Sequence, residues 1–233
     1  KNVANFQDLI EFVIGYGETY NPSKNSLKLP QLIALKASAD ATLADVITKN
    51  TNYNNKVNER ITAFSGLKSL STRLVNALQT TDATTETIGN AKTFNRKMQG
   101  KKASSSQTPT DPNTPAPNTI STSQQSYDQL IQHLAGLTSI LEAETSYTPN
   151  ETDLQVATLQ TKIADLTAKN TAVATAYASI SNSRIARNET LYSSSTGLVE
   201  TANEVKKYIK SVFGASSPQF AQVKGIQFKI IKN

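Results

Sequence analysis

Apolar side chains recur at spacings of three and four along two long stretches of this chain, the pattern of a helix that keeps one face against a neighbour. The first stretch carries Leu32, Leu35, Ala39, Leu43, Val46, Val57, Phe64, Leu67, Leu74 and Leu78. The second carries Leu159, Ile163, Leu166, Val173, Tyr177, Ile180, Leu191, Leu198, Val205, Tyr208 and Val212. Neither Pro nor Gly interrupts residues 31–65 or 154–196, so each stretch predicts one long helix. At 1.5 Å per residue, a helix of about 50 residues reaches roughly 75 Å. The alternative is a break, either in the Asn-rich stretch 50–58 or at Gly66 and Gly197.

Shorter amphipathic patterns flank both. Phe6, Leu9, Ile10 and Val13 form a stripe before the first long helix, and Tyr127, Leu130, Leu134, Leu137 and Leu141 form its counterpart before the second. After the long helices come Ile88, Ala91, Phe94 and Met98 in one half, and Phe220 with Val223 in the other. The expected boundaries have physical causes. Pro30 suits a first turn, Asn150 caps the second long helix with Glu151 and Asp153 at its positive end, and Ser217-Pro218 opens the last helix. Gly225 ends that helix and leaves residues 226–231 extended.

The two halves also repeat one another. Tyr20-Asn21-Pro22 matches Tyr147-Thr148-Pro149 at a spacing of 127 residues, which also pairs Leu27 with Leu154, Val46 with Val173, Arg60 with Arg187 and Phe64 with Leu191. Between the halves, residues 99–125 contain four prolines and almost no apolar side chain, the composition of a flexible Pro/Ser/Thr-rich linker. The organisation expected is therefore a helical unit at 1–98, the linker at 99–125, and a second unit at 126–233 packed with the first. A long amphipathic helix left alone would expose its apolar stripe to water. The fold class expected is all-α: an elongated, antiparallel, four-helix-like bundle of two pseudo-repeats, with coiled-coil packing, each repeat a short, a long and a short helix. Exchange between chains to form a dimer is the alternative.

Composition narrows the chemistry. The hydrophobic fraction is 37% and the aromatic fraction 6%, with no Trp, which fits a narrow buried stripe better than a thick enzyme core. The absence of Cys removes disulfides, thiolate catalysis and Cys-based metal sites. No window approaches the roughly 18 apolar residues of a spanning helix, so no transmembrane segment is expected. The first residues lack the pattern of a secretory signal, and a cytoplasmic location is expected. No phosphate loop, dinucleotide fingerprint, nucleophile elbow or helical zinc motif occurs, so neither an enzyme nor a cofactor is expected. His133, the single histidine, has no Cys or second His to join it and reads as an exposed or hydrogen-bonded side chain.

Two groups of residues carry what chemistry remains. Arg60, Arg184 and Arg187, with Asn50 and Asn170, occupy or adjoin the apolar seams, where polar groups set register or, in the sharper reading, form an anion-binding pocket. The net charge is +6, and the cations cluster locally. Lys92, Arg96, Lys97, Lys101 and Lys102 follow the first long helix; Lys206, Lys207, Lys210, Lys224 and Lys229 lie in the acid-free tail after Glu204. Such clusters attract nucleic acid or acidic protein by charge, although a solvated helix surface accounts for them as well.

At YNPS (Tyr20 to Ser23), NRKMQGKK (Asn95 to Lys102), RIARNETLY (Arg184 to Tyr192) and SVFGASSPQF (Ser211 to Phe220), the chain resembles an uncharacterised family of bacterial all-helical proteins with two tandem units and a Pro/Ser/Thr-rich linker. The resemblance covers nearly the whole chain. It implies a bacterial protein inside the cell and brings no activity or site residue with it. The function expected is that of a non-enzymatic helical scaffold or protein-interaction module, with self-association as one route. Sequence-nonspecific nucleic-acid or anion binding is the alternative, and a membrane-active helical protein the third reading, for which the long apolar hairpin is missing.

Overall fold

A computed structural model describes residues 1–100 and 125–230. Among them the chain is all-α, with no strand: α1 Asn2–Gly15, α2 Leu29–Phe64, α3 Leu67–Leu78, α4 Thr85–Gln99, α5 Tyr127–Ala143, α6 Val156–Tyr192, α7 Leu198–Phe213 and α8 Pro218–Lys224. The long helices are shorter than the uninterrupted reading, at 36 residues for α2 and 37 for α6. The Asn-rich stretch stays helical, because Asn costs well under about 1 kcal/mol per position in a helix interior. The breaks fall at the two glycines instead. Gly66 takes a left-handed φ of +79°, which a side chain would resist. Gly197 lies so near the backbone of Ser193 that a Cβ would sit 2.5 Å from its nitrogen and oxygen.

The helix starts follow local chemistry. Pro30 falls in the first turn of α2, as expected, and the side chains of Thr84, Ser126 and Ser217 accept from the amides of Thr87, Gln129 and Phe220 to cap α4, α5 and α8. Asn150 is not the cap of a long helix. A 3-10 turn at Thr152–Leu154 intervenes, and α6 begins at Val156. The reason is visible at Leu154, whose buried side chain and carbonyl are both held low, the carbonyl accepting 2.9 Å from the buried Tyr147 hydroxyl. Tyr20 makes the same bond to the Leu27 carbonyl at 2.7 Å, beside the 3-10 turn Asn25–Leu27 that precedes α2.

Two compact units result, and each takes chain from both sides of the 99–125 segment. Unit 1 is Lys1–Asn54 with Ala176–Asn233; unit 2 is Asn55–Thr175. Sequence halves and compact units differ because α2 and α6 each give one end to each unit.

In unit 1 the start of α2 and the end of α6 run antiparallel. Ser183 donates to Asp45 at 2.6 Å, and Tyr53 meets Tyr177 with ring centroids 5.9 Å apart. The core gathers Phe6 and Leu9 of α1, Leu32 of α2, Val205 and Ile209 of α7, and Val223 of α8. Each such side chain, fully buried, contributes on the order of 1.5–3 kcal/mol. The extended residues after α8 return to α1. Asn5 donates to the Gln227 carbonyl at 2.7 Å, and Asn2 both donates to the Lys229 carbonyl at 2.7 Å and accepts from the Lys229 amide at 3.1 Å.

Unit 2 packs α4 against α3 and α5 over Leu74, Leu78, Ala91, Met98, Leu134 and Leu137, with Leu159 and Leu166 supplied by α6. Gly136 lets the Phe94 ring come down on α5. Arg73 of α3 forms an ion pair with Asp153.

Candidate functional site

The end of α6 supplies the wall of a pocket in unit 1. Arg187, Asn188, Leu191 and Tyr192 line it from α6, Leu43 from α2, Lys1, Asn2 and Val3 from the start of the chain, and Gln227 and Lys229 from the returning segment. Its volume is about 440 Å³. The spacing of α6 residues explains the lining: Arg187 and Leu191 are four apart and share a face, and Asn188 and Tyr192 lie beside them. Half-buried Arg187 donates from Nε and Nη2 to the Asn188 Oδ1 at 3.1 and 2.8 Å. Among the described residues the lining holds three cations, Lys1, Arg187 and Lys229, and no carboxylate.

Arg60 and Asn170 do meet, in unit 2. Arg60 Nη1 donates to Asn170 Oδ1 at 3.0 Å, and Asn170 Nδ2 donates to Asp128 at 2.7 Å in the first turn of α5. The guanidinium also lies 4.0 Å over the Tyr127 ring, which in turn stands edge-on to Phe64 at 4.7 Å. Arg60 Nε is buried with no hydrogen-bond partner. The cluster is a polar joint between α2, α5 and α6, its cation held by an amide and an aromatic face.

The remaining seam residues do not join these two sites. Asn50 is half-buried on α2. Arg184 is exposed, and so is Tyr177 at 59%, both of which the spacing assigned to the seam. Ile180 is buried as the spacing expects, but the buried positions on either side of it are Ala176 and Ser183, each one residue earlier than Tyr177 and Arg184. A run of spacings of three and four leaves two adjacent stripes open, and α2 meets this face through Asp45 at the small, buried Ser183.

The basic positions are put to several uses. Lys92 and Arg96 are exposed on α4, Lys97 lies 5.5 Å over the Phe94 ring, and Lys101 and Lys102 fall outside the described residues. Lys207, Lys210 and Lys224 are exposed, Lys210 at 5.8 Å over the Phe220 ring. Lys206 differs: its ammonium donates to the carbonyls of Lys224 at 3.1 Å and Ile226 at 2.8 Å, so it fastens the end of α8, and burial pulls its pKa below the usual lysine value. His133 is buried on α5, facing Phe94 with ring centroids 6.4 Å apart, where an exposed side chain was one expectation.

Of the pocket's lining, the sequence singled out Arg187 and Lys229 for their charge and Leu43 only as part of an apolar stripe; Asn2, Asn188 and Gln227 join them only through the fold. Among the described residues no three His, Asp or Glu side chains are grouped to hold a metal ion, and no helix is long and apolar enough to cross a membrane. No protein-family model, no curated protein and no solved structure matches the chain.

Proposed function

We propose that this chain is a non-enzymatic helical interaction protein, which binds a protein helix along the outward face of α2 in unit 1. The observation that supports the reading is a stripe of exposed positions, Ile33, Ala37, Asp40, Ala44 and Ile47, spaced by four, three, four and three. That spacing keeps one helix face, and its ends are large apolar side chains left 49% and 68% exposed. Asp45 faces α6 through Ser183, and Ile47, two positions on, is turned about 200° away from that contact. Alanines between two isoleucines let a second helix come close, with the isoleucines as anchors at either end. The partner is another protein or a second copy of this chain.

The test pairs Ile33→Asp and Ile47→Asp with the wild-type chain. Both positions are exposed, so helicity by circular dichroism stays unchanged. Loss of a specific co-purifying protein from native cells, or of a dimer in sedimentation, in both variants supports the proposal. Identical partners and identical sedimentation for variants and wild type overturn it.

A further inference from the structure

We infer that the pocket at the end of α6 binds a small amphiphile, an anionic head on a short apolar tail. This inference stands apart from the proposed protein-binding face, since it concerns different residues of unit 1.

Charge is the first argument. Lys1, Arg187 and Lys229 all line one cavity whose lining includes no acidic residue among the described residues, and none of the three forms an ion pair with any described residue. The Arg187 guanidinium is half-buried. Here its Nε and Nη2 edge, the edge that grips a carboxylate or phosphate with two parallel bonds, rests on a neutral oxygen, the amide of the neighbouring Asn188. Hydrogen bonds to a charged acceptor are roughly twice as strong as those to a neutral one, so an arriving anion displaces the amide oxygen at a profit in stability. The displaced Asn188 amide still lines the pocket and can donate to the same head group.

The wall is the second argument. Val3, Leu43, Leu191 and Tyr192 give the cavity an apolar side, which an inorganic ion would leave unused. At about 440 Å³ the cavity falls in the range of small-molecule sites, roughly 300–1,000 Å³, and is far too small for a nucleic-acid strand. A head group paired with the cations and a tail laid along these four side chains satisfies both halves of the lining.

Isothermal titration of the full chain tests this with four probes: decanoate, decyl phosphate, inorganic phosphate and decanol. Saturable one-to-one binding of decanoate or decyl phosphate, at least about tenfold tighter than phosphate or decanol, is expected, and the tighter of the two names the head group. Arg187→Gln weakens that binding about tenfold or more, because it removes a charge-assisted bond. Lys229→Gln, at an exposed position outside any helix, weakens it by a smaller factor and leaves the melting temperature unchanged, so a folding defect at Arg187 does not spoil the test. Equal affinity for decanol, equal affinity for inorganic phosphate, no binding by either amphiphile, or unchanged affinity in both variants overturns the inference.

Discussion

Arg60 reaches Asn170 across unit 2 with a 3.0 Å hydrogen bond, and that amide is the only acceptor its guanidinium has among the described residues. Asn170→Ala leaves a half-buried cation with no acceptor and also frees Asp128, so it is expected to destabilise the chain by about 1–3 kcal/mol. Adding Arg60→Met to Asn170→Ala recovers part of the loss, because a removed charge no longer needs a partner. Urea unfolding of the two single variants and the double variant checks both statements.

The buried phenols predict an alkaline limit. Burial, helped by Glu151 and Asp153, pushes the Tyr147 hydroxyl up to about 12, and burial with Tyr208 alongside raises Tyr20 as well. An unfolded tyrosine titrates near about 10. A pKa raised on folding means that the stabilisation is complete below that value and is lost as pH climbs toward the folded one. Thermal melts should therefore hold steady to about pH 10 and fall between there and pH 12. Tyr147→Phe flattens that fall at a cost of about 1 kcal/mol at neutral pH.

Two glycines should respond differently to alanine. At Gly136 a Cβ would lie 2.4 Å from the Phe94 ring, so Gly136→Ala is expected to cost about 1–3 kcal/mol, with Phe94→Leu restoring part of it. At Gly197 the obstruction is the Ser193 backbone, which cannot rotate aside. Gly197→Ala should lower the melting temperature further, and no single side-chain change should rescue it.

On the acid side, the Arg73 guanidinium holds the Asp153 carboxyl below the usual carboxylate range. A depressed pKa stabilises the fold above the unfolded value and ceases to do so as pH falls through the depressed one. Both side chains are about half exposed, at 49% and 55%, so salt screens the pair and the effect on stability is small. Carboxyl NMR should show Asp153 returning toward its ordinary value in Arg73→Gln, and moving the same way in high salt.

Much of this architecture was legible because local chemistry decides it. The α1 stripe of Phe6, Leu9, Ile10 and Val13 is buried as its spacing predicts, and the Ser217 cap, Pro218 start and Gly225 stop delimit α8. Arg60 and Asn170 were legible as polar residues on facing seams. What escaped depended on partners distant in sequence. Spacing alone cannot choose between the stripe through Tyr177 and Arg184 and the one through Ala176 and Ser183; the approach of Asp45 to Ser183 chooses. Likewise, nothing near Arg187 announces that Leu43, Asn2 and Lys229 will complete a cavity around it.

Because unit 2 is one run from Asn55 to Thr175 while unit 1 is built from segments on both sides of it, the ribosome completes unit 2 before unit 1. Residues of unit 1 made before unit 2 wait longest for their neighbours. Until Leu198, Val205, Ile209 and Val223 have been translated, the greasy side of α1 lacks a large share of its core, and a nascent chain stalled before them is the form most in need of a chaperone.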